Sequence, residues 1–524
     1  MRPTQAPGVR LKLRRSDLQT VISQLLLLAS LAGLALGLGP RSLAQATPPT
    51  QAQEPAREGS ASQPAAPPTQ APSPRQTPQA EPEHRITRAE ADELLRSIDA
   101  IVQFDSRDTG LRLHHNIKRK FTSRDEVARF VSDRFSEDEQ AQRLKRSEVV
   151  LKRFGLIPRN FHLEPFMLEL LKEQVAGYYN SKDKTVYLLD WVEPESQKPV
   201  MAHELTHALQ DQNFGIEKWM GKNPKAGSKM QTEIQSDEQM AAREAVVEGQ
   251  AMIAMLDYML APAGQSVLTA PLLVQAMEAG MMDGDNSPVF TRAPLYLKEV
   301  LVFPYTYGTE FVRELLARGG KERAFAGVFK NPPLDTRQIM EPKTYLAGER
   351  TPPLELPNLE QLLGAAWEKY DVGSIGEFDV KVMAEQYGVP SEDAKLVASN
   401  WRGGYYYAAK KKGVSDTKPE NIALIYVSRW ASPEAATNFG EIFGAAIQKR
   451  YRVEAGRGER QEIKTRPDVD ANSASAGAGL RDAWRTDDGL ISVETRGAIL
   501  LITEGFDDAS PVKDAAYSAA TGQR

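Results

Sequence analysis

The chain of 524 residues contains no cysteine. That excludes disulfides, thiolate metal sites, iron–sulfur clusters, a cysteine nucleophile and a lipid-modified N-terminal cysteine. Histidine is nearly as scarce: His84, His114, His115, His162, His203 and His207 are the whole supply, so any imidazole chemistry must be built from them. There is no excess of charge of one sign. Lysine and arginine number 65 against 70 aspartates and glutamates, a formal charge of −5, which gives no basic field for nucleic acid. Long apolar runs are also missing beyond the first 40 residues, so no further membrane span is expected. What is present is the balance of a soluble globular chain, 41% hydrophobic and 26% charged, long enough for more than one domain.

The one apolar run, residues 21–39, follows a basic segment without acids and precedes Pro40 and the small-residue site Ser42-Leu43-Ala44. This order is that of a secretory signal peptide, here 1–44. An uncleaved N-terminal anchor is the alternative, since the run would span a bilayer. Both readings export the rest of the chain, to the periplasm or beyond. Residues 45–85 are rich in Pro, Gln, Ala, Ser and Thr and read as a disordered linker.

From Ile86 the pattern is globular. Thr87 and Glu90 form a capping-box signature ahead of a helical run, and further helices follow up to Gln174. VAGYYN and TVYLLD, 175–180 and 185–190, read as a β-hairpin leading into a helix over 196–214, with Pro199 in its first turn. A long helix is expected from about Thr232 to Met259. Prolines at 332–333 and 352–357 mark a boundary, and the later segments read as β-β-α-β-β-β. The expected fold class is therefore α+β. A mostly helical domain, 86–350, holds a small β-hairpin or sheet before its key helix. A connector, 351–364, leads to a C-terminal α+β domain with an antiparallel sheet, 365–512, and a tail, 513–524.

The chemistry is concentrated in His203-Glu204-Leu205-Thr206-His207. Residues i and i+4 share a helix face, so two imidazoles can hold one zinc ion. Glu204 projects beside them, where it can act as general base toward a zinc-activated water, a constellation suited to peptide hydrolysis. A catalytic zinc usually has three protein ligands. No third histidine follows at the required spacing, so a carboxylate is expected. Glu248, in an apolar stretch beside Gly249, is the candidate; Glu244, one turn earlier, is the alternative ligand or an acceptor for a histidine N–H. Gly249 itself suggests a close approach by another element. Tyr178, Tyr179, Tyr305 and Tyr307 are candidate donors to a tetrahedral oxygen, Tyr305 being the preferred one. The adjacent pair His114-His115 does not share a helix face and reads as surface or structural, and the methionines along 230–259 read as core filling.

HELTH followed by a glutamate on a later helix resembles the gluzincin metallopeptidases. VEGQA is similar to the glutamate-glycine-x-alanine segment of their aminopeptidase branch, which implies Glu248 as the ligand; the spacing in the thermolysin branch implies Glu244 instead. The resemblance further implies one zinc ion, a peptide or protein substrate, and a strand beside the zinc helix along which substrate runs. GLIP, EQVAGYYNSKDKTVYLL, MAHELTHALQDQNF, FPYTYGTEFV and PPLDTRQIMEPKTY together resemble a set of exported bacterial proteins carrying this zinc signature. In that set a glutamate is expected near Arg337 and a histidine near Glu341, and this chain departs at both. An inactive zinc-binding scaffold of the cell envelope is the rival function. No nucleic-acid partner is expected.

Overall fold

The computed structural model describes residues 85–522 apart from 136–137, 175–176, 222–228, 283–286, 415–417, 455–462, 466–478, 487 and 507. The expected leader, 1–44, and all but the last residue of the linker, 45–85, lie outside the described residues. Among the described residues no helix is long and apolar enough to cross a membrane.

The fold is α+β. Helix α1 (Arg88–Thr109) opens it, and the Thr87–Glu90 capping box forms: Thr87 N donates to the Glu90 carboxylate at 2.6 Å and Glu90 N to Thr87 Oγ1 at 3.3 Å. Strand β1 (Lys118–Thr122) is followed by α2 (Arg124–Phe135), α3 (Asp138–Phe154) and α4 (Leu163–Gln174). The expected hairpin is β2 (Tyr178–Asn180) and β3 (Thr185–Leu189), paired antiparallel. It is part of a three-stranded sheet of order β1-β3-β2, because β1 adds to β3 in parallel. The basic sequence of β1, Lys118 to Thr122, hid this strand from a reading based on apolar alternation.

Helix α5 (Pro194–Phe214) carries the HELTH motif. It starts earlier than the sequence suggested, with Pro194 in its first turn, so Pro199 falls inside the helix rather than at its start. Gly215, at φ 66°, ends it. Helix α6 (Lys229–Leu260) runs through the middle of the molecule; every residue from Ser236 to Asp257 is buried. It packs on α5 and most extensively on α7 (Leu295–Glu322). A helix enclosed on all sides cannot show an amphipathic stripe, and α5 and α6 show none.

The C-terminal part is a seven-stranded antiparallel sheet of order β4-β5-β6-β10-β9-β8-β7. Its strands are β4 (Trp367–Ser374), β5 (Trp401–Lys411), β6 (Ile422–Trp430), β7 (Ile463–Thr465), β8 (Arg481–Thr486), β9 (Gly489–Arg496) and β10 (Ile499–Glu504). Helix α8 (Glu377–Gln386) follows β4, and α9 (Pro433–Glu454) lies between β6 and β7. Alternation along the strands splits two cores. Tyr406, Ala408, Leu424 and Tyr426 join the core of the helical part, whereas Tyr405, Tyr407, Ile425 and Val427 face the other way. That second face is covered by α10 (Ser510–Gly522), through Val512, Ala516 and Ala520. The expected tail 513–524 is thus replaced, over its described part, by a helix whose small residues at i, i+4 and i+8 fit flat against a sheet. The two parts also share one continuous core, so the proline-rich 352–357 stretch separates elements without separating hydrophobic interiors.

Candidate metal centre

Every residue from Val200 to Asp211 is buried, although His203, Glu204, Thr206, His207, Gln210 and Asp211 are polar. Burying so many polar groups on one helix is tolerable only if each finds a partner, and the partners define the site.

His203 Nε2 lies 3.1 Å from Glu248 Oε2 and 3.0 Å from His207 Nε2, and His207 Nε2 lies 3.5 Å from the same Glu248 oxygen. The structure therefore brings His203, His207 and Glu248 together, from α5 and α6, and among the described residues they are the one group of three such side chains close enough to share an ion. Glu244 is buried one turn away and is not part of that group. The three separations suit a single small cation: ligands about 2.0–2.1 Å from a tetrahedral centre are about 3.3–3.4 Å from each other. Orphaned atoms point the same way, since the second carboxylate oxygen of Glu248, Oε1, is buried without a hydrogen bond. The residues present could hold a metal ion.

Gly249 explains how Glu248 gets there. A Cβ on Gly249 would lie 2.2 Å from Gly308 O, and a Cβ on Gly308 would lie 2.2 Å from Ala245 O. The backbones of α6 and α7 touch at this crossing, which sets the depth of α6 and seats Glu248 against the imidazoles. The close approach expected at Gly249 is thus made by α7.

Without a cation the three groups hold one another electrostatically. Burial lowers His203 to about 4, against the Glu248 hydrogen bond. Burial also works against charge on His207, but the Glu248 carboxylate and then Glu204 outweigh it and raise His207 to about 9. Burial alone would raise Glu248; the charge of His207 and hydrogen bonds from both rings bring it down to about 2. The carboxylate is held ionised, as a metal ligand must be.

Glu204 is not one of the three grouped side chains; its Oε2 accepts the N–H of Tyr179 on strand β2 at 2.7 Å. The Tyr179 hydroxyl donates to Asp211 Oδ2 at 2.7 Å, and Lys184 Nζ reaches the same oxygen at 2.6 Å. Asp211, one turn past His207, so clamps the hairpin that orients Glu204. Of the four tyrosines considered, Tyr305 alone borders the ligands. Its ring centroid is 6.3 Å from that of His203, and its buried hydroxyl, pushed well up by burial and then by Glu248, makes no hydrogen bond of ordinary geometry. Tyr178 stacks on Tyr187 at 4.6 Å, Tyr307 packs on Phe303, and the Tyr179 hydroxyl is spent on Asp211.

Sequence reasoning missed Gln210, Gln250 and Asp211. His207 Nδ1 meets Gln210 Oε1 at 2.9 Å, and Gln210 Nε2 donates to Gln250 Oε1 at 2.9 Å. The available signal was spacing alone, since 207, 210 and 211 share a helix face. His114 and His115 are exposed, and both backbone N–H groups donate to Gln212 Oε1. Met240, Met252 and Met255 are core. At the two positions that depart from the resembled set, Arg337 and Glu341 pair with each other at 3.2 Å, and Arg337 also meets Glu349 and Glu377. No family model, no curated protein and no solved structure matches the chain, so what the site can do is argued from its own residues.

Proposed function

We propose that the protein is an exported, gluzincin-like zinc peptidase in which His203, His207 and Glu248 hold one zinc ion and Glu204 is the general base. The observation that carries this reading is the division of labour between two adjacent residues. His203 converges with His207 and Glu248, while Glu204 is excluded from that group and fixed by a backbone N–H. A structural metal site needs no such base.

Zinc, when bound, supplies Lewis acidity toward a scissile carbonyl and toward water. The chain supplies the rest. Glu204 accepts the proton of the attacking water and returns it to the leaving amine. Strand β2 is the edge of its sheet, so an extended peptide can add to it beside Glu204. Tyr305, whose ring borders His203, is the phenol that donates to a developing oxyanion. Complete enclosure of His203, Glu204 and Glu248 favours one rival, a metal-holding scaffold that cleaves nothing. Zinc content and cleavage of casein or a peptide library, for wild type and Glu204→Gln, separate the two. The peptidase keeps zinc and loses cleavage by about 10²–10⁴-fold on substitution; a scaffold holds zinc and cleaves in neither form.

A further inference from the structure

We propose that Gln210 and Gln250 are positioning residues that fix a proton on Nδ1 of His207 and so leave Nε2 bare as a metal ligand. This rests on the metal-site reading above and adds what makes one of its ligands competent.

The geometry assigns every atom of the relay, starting from its far end. Gln250 Nε2 donates to Ala324 O at 2.7 Å and to Phe325 O at 3.2 Å. Both are backbone carbonyls in the π-helical turn Arg323–Gly327, and a carbonyl only accepts. The amide of Gln250 therefore cannot be reversed, and its oxygen faces Gln210. Gln210 is pinned in the same way: its Nε2 donates to Val247 O at 3.0 Å and to Gln250 Oε1 at 2.9 Å. Its own oxygen is then the atom 2.9 Å from His207 Nδ1. An amide oxygen accepts only, so Nδ1 carries the hydrogen. In a neutral ring that leaves the lone pair on Nε2, the atom facing His203 and Glu248.

Gln210, Gln250 and His207 are all buried, so water cannot stand in for a missing link. His203 provides the contrast: its Nδ1 is buried without a hydrogen-bond partner, and nothing comparable fixes its tautomer. The relay is also neutral where a carboxylate is the usual partner of a metal-binding imidazole. A carboxylate at 210 could still accept from Nδ1. It could not donate to Val247 O or Gln250 Oε1, and it would face both as a buried charge.

The test uses the full chain and its variants Gln210→Leu, Gln210→Glu, Gln250→Leu and the double Gln210→Leu/Gln250→Leu. Zinc and cobalt(II) affinities are read by competition with a chromophoric chelator, and metal-free thermal midpoints in parallel. Gln210→Leu and Gln250→Leu are each expected to bind metal about 10–100-fold more weakly, the double variant no more weakly than Gln210→Leu alone, and Gln210→Glu, which still accepts from Nδ1, more tightly than Gln210→Leu. Wild-type affinity in Gln210→Leu, a Gln210→Glu affinity no better than that of Gln210→Leu, or losses that multiply in the double variant, overturn the proposal. A lower midpoint with unchanged affinity also overturns it, by reducing the glutamines to packing. If the wild type binds neither metal, the metal-site reading fails. The relay is then judged by selective ¹⁵N-histidine spectra of the metal-free wild type at a pH where the His207 ring is neutral; a hydrogen on Nδ1 with a bare Nε2 is expected, and the reverse tautomer refutes it. Those spectra also decide the matter if the variants do not fold.

Discussion

The contact between α6 and α7 yields a prediction whose sign is opposite to ordinary expectation. Gly249 and Gly308 both lie inside helices, and neither has a positive φ. On backbone grounds alone alanine would stabilise either position by about 1 kcal/mol, because glycine is the poorer helix former. The crossing reverses this. A Cβ at 249 would stand 2.2 Å from Gly308 O and 2.3 Å from Gly308 C, both backbone atoms with no side-chain rotation to relieve them. Ordinary contact needs about 3.4 Å or more, so the helices must part by roughly 1 Å, an overpacking that costs about 3 kcal/mol. Gly249→Ala is therefore expected to lower the thermal midpoint by several degrees. It should also weaken metal binding, because the neighbouring residue Glu248 moves by a similar amount and ligand placement tolerates only about 0.5 Å. Gly308→Ala should do the same, since its Cβ would meet Ala245 O at 2.2 Å. The double variant should cost less than the sum, because one separation accommodates both methyls. Differential scanning calorimetry and chelator competition read both effects. A Gly249→Ala protein that is more stable than wild type, with unchanged metal affinity, would refute the crossing and the account of how Glu248 is seated.

Two further predictions concern the junction with the sheet. Arg153 on α3 is wholly buried, with Nη1 3.3 Å from Asp488 and Nη2 3.3 Å from Glu504; Arg153→Ala leaves those carboxylates underneutralised and should cost about 3 kcal/mol, and denaturant unfolding that matches wild type would contradict it. Glu238 on α6 accepts from Thr336 N at 2.9 Å and Thr336 Oγ1 at 2.7 Å, but burial, then the charge of Asp379, push it up to about 8. A carboxyl whose folded pKa lies above its unfolded value stabilises fully at low pH and loses that contribution as pH rises toward the folded value. The thermal midpoint should fall between about pH 5 and 8, and Glu238→Gln should flatten that fall; an equal slope in both proteins would show that this carboxyl does not titrate there.

What could be read from the sequence, and what could not, divides along a physical line. Local signals survived: the capping box at Thr87–Glu90, the hairpin around Ser181–Lys184, strands β5, β6, β8, β9 and β10 of the C-terminal sheet, and the i, i+4 pair His203–His207. Strands β1 and β4 escaped notice because Lys118–Thr122 and Trp367–Ser374 carry charge on the faces that alternation needs to be apolar. The covering helix α10 escaped because its buried residues are mainly alanines, too small to register as a stripe. The choice between Glu248 and Glu244 is instructive. Both are buried acids on one helix face, and the local sequence favours Glu248 only through its apolar stretch and Gly249. A contact with a helix more than fifty residues further along, through Gly308, sets the height at which α6 crosses the imidazoles.

The same long-range dependence governs the polar residues around the ligands. Isolated, a helix such as VMAHELTHALQD would be a poor candidate for burial, with carboxylates, imidazoles and an amide spread around its circumference. It is buried because each group meets a partner from a different element: Glu248 from α6 for His203, the Tyr179 N–H from β2 for Glu204, Gln250 and Val247 O from α6 for Gln210, and Tyr179 and Lys184 from the hairpin for Asp211. No single one of these contacts needs a metal. Taken together they leave three ligand atoms of α5 and α6 facing one another at 3.0–3.5 Å with their other sides secured or orphaned. A core that existed only to fill space would have been cheaper with leucines at 203, 207 and 248, since replacing buried polar clusters by apolar side chains is often neutral or stabilising. The contacts around those atoms, Glu204 on the Tyr179 N–H, Gln210 and Gln250 behind His207, and Asp211 on the edge strand, are what argue for chemistry rather than packing.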